Sequence, residues 1–160
     1  MVCAATILAG AAVALGRIGE NESQCNRRYG GPATDTFSVS QNKAAPLVTG
    51  CPTQTYNYHG FRIRIAFIGF NGPAIRMQFT KKEGGPYLKD DEIQAILKGN
   101  LPDEMQWQTG IDNWKRSDGV TARLEMMKMG MVLESPAAET LDKRAKDEKE
   151  QKRRADIPRF

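Results

Sequence analysis

Apolar and polar residues alternate with a period of two along Phe61-Arg62-Ile63-Arg64-Ile65-Ala66-Phe67, and again along Ile75-Arg76-Met77-Gln78-Phe79. That alternation marks strands with one face buried and one polar. Asn71-Gly72-Pro73 between them is a turn signal. Pairing Phe67 with Met77, and Ile65 with Phe79, superimposes the apolar faces and predicts a β-hairpin centred on Gly72. Tyr56-Asn57-Tyr58 predicts a preceding strand, turned at His59-Gly60. Val120 to Met126 alternates too, with Val120, Ala122, Leu124 and Met126 inward, entered through an Asp118-Gly119 turn. Lys128 to Gly130 turns the chain into Met131-Val132-Leu133. Phe37-Ser38-Val39 is a further short candidate strand in the polar stretch Thr34 to Thr55. Asn42 to Pro52 reads as a loop, and Trp107 to Trp114 as an irregular connector.

Three segments carry helical signals. Asn21 with Gln24 three residues on forms a capping box, and Cys25 and Tyr29 share one face. Gly30-Gly31-Pro32 ends that helix. Asp90, Asp91 and Glu92 load the first turn of a second helix, Lys98 its last, and Gly99 ends it. Ile93, Ile96 and Leu97 form its apolar face, with Leu88 as a hydrophobic staple. Ser135 and Pro136 open a third segment dominated by charge from Glu139 onward, with Leu141 its only large apolar residue before Ile157. Opposite charges three and four apart support a helix there. With almost nothing to bury, it is expected to project or fray. The fold class expected is α+β: one antiparallel sheet of about five strands, short helices on one face, and a charged C-terminal helix or tail.

Met1 to Leu15 is free of charge and apolar or small throughout, with Ala12-Val13-Ala14 at its end. A membrane span needs about 20 apolar residues; Arg17, Glu20 and Glu22 interrupt this one too early. The segment reads as a secretory signal peptide over residues 1–14, cleaved after Ala14, although it opens without Lys or Arg. The competing reading is a buried Ala-rich helix of a cytosolic protein. Ala11 follows Leu8-Ala9-Gly10 where a lipoprotein signal carries Cys, so no lipid anchor is expected. The division is then signal 1–14, one α+β domain 15–135 and a charged tail 136–160, in a periplasmic or secreted protein with no stable membrane anchor after cleavage. The net charge of +4 is unchanged by cleavage and falls short of the excess typical of nucleic-acid binding. Of three cysteines, Cys3 leaves with the signal. Cys25 and Cys51 can pair, which would stabilise the domain by about 3 kcal/mol. They can equally remain a buried thiol and a loop thiol.

No constellation commits the chain to chemistry. His59 is the single histidine, at a turn; Asp35, Ser38 and Ser40 can be recruited as partners on paper, but no motif surrounds them. One His and two distant Cys do not supply a metal site, and no cofactor is expected. Gly30-Gly31-Pro32 and Gly84-Gly85-Pro86 lack the phosphate-loop patterns. Asp90, Asp91 and Glu92 are explained by the helix dipole. The most suggestive cluster is the polar sheet face, where alternation collects Arg62, Arg64, Arg76 and Gln78, with Arg123 joining them and Glu125 diluting the field. Such a face can bind a phosphate, a carboxylate or an acidic partner; a solvated antiparallel face looks the same. No aromatic interleaving points to nucleic-acid stacking. Trp107, Trp114, Met126, Met127, Met129 and Met131 are expected in core or edge packing.

The run Gly19-Glu20-Asn21-Glu22-Ser23-Gln24-Cys25-Asn26-Arg27-Arg28-Tyr29-Gly30-Gly31-Pro32 resembles the short helix ending in Gly-x-Pro of the SmpA/OmlA-type exported bacterial lipoproteins. The resemblance covers residues 19–32. It implies a small helical layer on an antiparallel sheet and transfers no catalytic residue. The Trp114-Lys115-Arg116-Ser117-Asp118-Gly119 turn and the charged tail resemble those of small exported bacterial proteins. The function expected is a non-enzymatic interaction or structural module of a bacterial envelope, with a protein partner. The alternative is a secreted small-ligand or anion binder, or an enzyme, with a site near His59 and the Arg62/Arg64/Arg76 face.

Overall fold

The computed structural model describes residues 17–33, 45–125 and 127–156. The expected signal segment with Cys3, the candidate strand at Phe37-Ser38-Val39, Asp35, Ser38, Ser40, Met126 and Ile157 lie outside the described residues. The elements in chain order are α1 (Glu22–Tyr29), β1 (Thr53–Tyr58), β2 (Phe61–Phe67), β3 (Ala74–Lys81), α2 (Asp90–Gly99), β4 (Trp107–Thr109), β5 (Asn113–Arg116), β6 (Thr121–Glu125), β7 (Gly130–Glu134) and α3 (Pro136–Ala155). The fold is α+β with one antiparallel sheet in the order β1-β2-β3-β7-β6-β5-β4. Among the described residues the sheet has seven strands where about five were expected.

The two strands missed by patterning are β4 and β5, a hairpin where the sequence reads as an irregular connector. β4 is only three residues long, so it shows no full alternation. In β5 the inward position after Trp114 is Arg116, which breaks the apolar pattern. Arg116 is nonetheless buried. Its guanidinium donates to both carboxylate oxygens of Asp118 (2.8 and 2.7 Å) and to the carbonyl of Asn100, and lies 5.7 Å from the Trp107 ring centre. A buried cation satisfied on every side takes the place of an apolar residue.

The β2–β3 hairpin forms, but its register is shifted by two residues: Ile65 faces Met77 and Ile63 faces Phe79. The two-residue slip keeps Ile63, Ile65, Met77 and Phe79 on their expected face, so the apolar pattern alone could not detect it, whereas Ile75, expected with them, packs beside Ala66 on the other face. A bulge after Ala66 pairs Phe67 with Ala74, and the loop closes with Ile68 donating to the Pro73 carbonyl at 3.1 Å. β1 and β2 join through His59 and Gly60, both in the left-handed region (φ 46 and 80°), as a two-residue hairpin requires.

The main core lies between the sheet and α1 with α2. Ile63, Ile65, Phe67, Met77, Phe79, Ala122, Met131 and Leu133 meet Cys25 and Tyr29 of α1 and Ile93, Ile96 and Leu97 of α2. The predicted capping box of α1 is present: Gln24 N–H donates to Asn21 Oδ1 (2.9 Å) and Asn21 N–H to Gln24 Oε1 (2.8 Å). α2 runs through Gly99 and is capped by the buried Asn100, one residue later than the glycine signal suggests.

The opposite sheet face carries a second, smaller core of Val48, Ala66, Ile75 and Ala138, with Leu47, Cys51 and Leu141 against it. Among the described residues Ala138 is the one buried residue of the third helix, which therefore buries little more than the Leu141 its sequence shows. Ala138 and Leu141 dock its first two turns on the sheet, while nearly all side chains from Lys143 onward are exposed. Met131 is in the core as expected; Met127 and Met129 are exposed turn residues instead. Their β6–β7 turn holds Met127 and Lys128 at positive φ, which turns Met127 outward.

Candidate functional site

Alternation puts Arg62, Arg64, Arg76 and Arg123 on the same side of the sheet, opposite the main core, as the sequence predicts. The structure gives them different tasks. Arg76 is enclosed: its guanidinium donates to the Leu47 carbonyl (2.6 Å) and ion-pairs with Glu134 of β7 (2.7 Å) and Asp142 of α3 (2.8 Å). Burial alone would push its pKa down. The bonds it donates to Glu134 and Asp142 outweigh that and hold it above its ordinary value. Arg76 is a clamp that fixes the 45–52 loop and α3 to the sheet.

Arg64 reaches out to the Ala45 carbonyl (2.5 Å) and the Gln78 side-chain oxygen (3.4 Å). Its pKa is lowered, first by burial and then by the charge of Arg62. Arg123 lies near Glu125 at 3.7 Å, and Glu125 also accepts from Gln78 at 2.9 Å. Arg64 and Arg123 are level in the sheet through Gln78 and Val132, three strand spacings apart. That is about 14 Å between backbones. The four arginines thus do not converge. Arg62 and Arg64 stand two apart on β2, beside a shallow hollow of about 250 Å³ lined by Arg62, Thr80, Lys81 and Lys82.

His59 belongs to the other side. Its ring packs edge-on against Tyr58 at 4.2 Å, and Tyr58 packs on the main core. An open hollow of about 380 Å³ beside it is lined, among the described residues, by His59, Phe61, Lys81, Glu83, Lys89 and Glu92 and by no Ser, Thr or Cys. Lys81 Nζ donates to Glu92 at 2.8 Å, and the backbone N–H of Lys89 donates to the same carboxylate at 2.7 Å. Glu92 is pushed up by burial, but these bonds win and its pKa is lowered. The two lysines and two glutamates that line the hollow balance in charge, and Lys81 also lines the hollow beside Arg62. A third open hollow, about 430 Å³, lies along α1 between Glu20, Gln24, Arg27, Arg28 and Tyr58. Sequence reading missed it because its Arg28–Glu20 ion pair joins residues eight apart across the helix start.

Cys25 and Cys51 are both free thiols, one in the main core and the other against the second core across the sheet. Burial pushes the Cys25 thiol up to about 12. Among the described residues no group of three or more His, Cys, Asp or Glu could hold a metal ion, and no helix is long and apolar enough to cross a membrane.

The most regular charged feature went unremarked in the sequence. Lys143, Lys146, Lys149 and Lys152 recur every third residue along α3, all exposed. Reading for opposite-charge pairs hides this period. No protein-family model, no curated protein and no solved structure matches the chain.

Proposed function

We propose that the protein is a non-enzymatic interaction or structural module exported to a bacterial envelope. The observation that carries this reading is the separation of the two candidate chemistries. His59 lines a hollow shared with Lys89 and Glu92 of the α2 side, Arg64 and Arg76 are engaged on the other sheet face by Ala45 and Leu47, and Arg76 is consumed by internal ion pairs. A catalytic centre requires its acid, base and nucleophile within hydrogen-bond reach of one reacting atom. Export rests on the uncharged apolar segment Met1 to Leu15 and the small residues Ala12-Val13-Ala14. The Gly19–Pro32 run, with its resemblance to SmpA/OmlA-type lipoproteins, favours the same compartment.

Fractionation of the native host with intact-mass measurement tests this. The expected species starts near Leu15 in the periplasm or medium. An intact Met1 in the soluble cytoplasm would overturn the export reading. An Arg62→Glu, Arg64→Glu double variant tests the remaining arginine pair as a contact surface. Loss of an acidic protein partner cross-linked in envelope extract is the expected result, and unchanged cross-linking removes that face from the proposal.

A further inference from the structure

Beyond Asp142, α3 leaves the sheet and its side chains are almost all exposed up to Ala155. This stretch holds Lys143, Arg144, Lys146, Lys149, Lys152, Arg153 and Arg154 against only Asp147, Glu148 and Glu150. Its net charge of +4 equals that of the whole chain. The acids are not distributed evenly among the bases. Glu148 pairs with Arg144 at 2.9 Å, and Glu150 with Arg153 and Arg154 at 2.7 and 2.8 Å. The bond from Arg153, then that from Arg154, draws the Glu150 carboxyl down to about 2. Every arginine of the stretch is thereby engaged. Among the described residues, none of the four lysines takes part in an ion pair.

We propose that Lys143, Lys146, Lys149 and Lys152 form a binding track for a flexible acidic polysaccharide of the envelope. The inference deepens the exported-module reading and rests on it for the choice of polymer. Three residues of α-helix advance about 4.5 Å and turn back about 60°, so the row winds through about 180° over about 13.5 Å. A planar bilayer faces one side of a helix and meets only part of such a row. A flexible chain follows it. The helix also offers a bilayer no apolar stripe after Leu141, since Ala145 and Ala155 are its only apolar residues there. Single-stranded nucleic acid binds through aromatic stacking as well as charge, and Pro136–Ala155 contains no aromatic residue. Lysine supplies compact, hydrated point charges without the planar fork of arginine, which suits recognition of spaced carboxylates or sulfates regardless of their detailed geometry.

The test uses the full chain and sodium polygalacturonate in low salt, with oligo-dT and phosphatidylglycerol vesicles as competing arms. Two charge-matched variants are compared after circular dichroism shows both folded. One carries Lys143→Gln, Lys146→Gln, Lys149→Gln and Lys152→Gln; the other carries Lys82→Gln, Lys89→Gln, Lys98→Gln and Lys115→Gln. The track variant should bind polygalacturonate at least about 10-fold more weakly, with a salt dependence shallower by about 3 in log–log slope. The control should stay within about 3-fold of the parent. Equal loss in both variants would reduce the effect to net charge and overturn the proposal. So would absence of binding, or tighter binding to oligo-dT or to vesicles. If the track variant behaves as expected while the native chain retains Met1 in the cytoplasm, the export reading fails and the lysine track stands.

Discussion

Replacing Arg76 with Ala should destabilise the protein far more than loss of a surface arginine. The side chain is 12% exposed, and its partners Glu134 and Asp142 are 16% and 28% exposed. Three acceptors on three elements converge on it: Leu47 in the 45–52 loop, Glu134 on β7 and Asp142 on α3. A hydrogen bond to a charged group contributes about 1.5–3 kcal/mol, and breaking a buried ion pair costs about 3–5 kcal/mol. Partial access of water to both acids places Arg76→Ala at about 3 kcal/mol, read as a lowered urea midpoint. The two carboxylates left behind would also repel each other and loosen the cover of Ala66 and Ile75. Limited proteolysis should then cut the 45–52 loop earlier in the variant. Arg76→Lys keeps one charge but loses the fork, and should recover about half of the loss. An Arg76→Met, Asp142→Asn cycle should give a coupling of at least about 1 kcal/mol. A loss below about 1 kcal/mol for Arg76→Ala would mean a screened surface pair, and the clamp would be refuted.

Three further outcomes follow from particular contacts. Asp118 is held below its ordinary 3.8 chiefly by the Arg116 guanidinium, so the stabilisation it contributes is complete above about pH 4 and is lost as pH falls through its lower folded value. Asp118→Asn should cost about 1 kcal/mol at pH 7, discounted for its partly exposed position, and should flatten the acid limb of the stability profile; parallel profiles from pH 5 to 2 would contradict this. Gly72→Ala would bring a Cβ within 1.8 Å of the Ile68 carbonyl oxygen, a backbone atom that cannot step aside. It should cost about 2–3 kcal/mol in a thermal or urea melt, and a neutral result would refute the loop geometry. In the native protein iodoacetamide should label Cys51 well before the buried Cys25, and non-reducing peptide maps should contain no Cys25–Cys51 bridge; a linked peptide would contradict the free thiols.

What was legible in the sequence is what one face of one element can write. The alternation of β2 and β3, the Asn21–Gln24 box and the Ile93-Ile96-Leu97 stripe are each written locally and each forms, although the β2–β3 register is two residues from the expected one and Ala66 and Ile75 face the second core. What stayed hidden involves two elements at once. Arg116 occupies an inward position because Asp118, Asn100 and Trp107 surround it, and no local pattern announces such a set. Arg76 looked like one of four equivalent basic residues, yet its role depends on Leu47, twenty-nine residues before it, and on Asp142, far behind it. The same contact explains α3. A helix with one Leu and a run of charges should not dock, but Ala138 is small enough to sit against Ala66 and Ile75, and Asp142 reaches the guanidinium of Arg76. Docking of the first two turns therefore orients the rest of the helix without burying it. Changing Arg76 should disturb where the lysine track points while leaving its charge intact. Polygalacturonate affinity in Arg76→Ala is accordingly expected to stay within about 3-fold of the parent, because a flexible polyanion reads local charge and spacing rather than the attitude of the helix on the sheet.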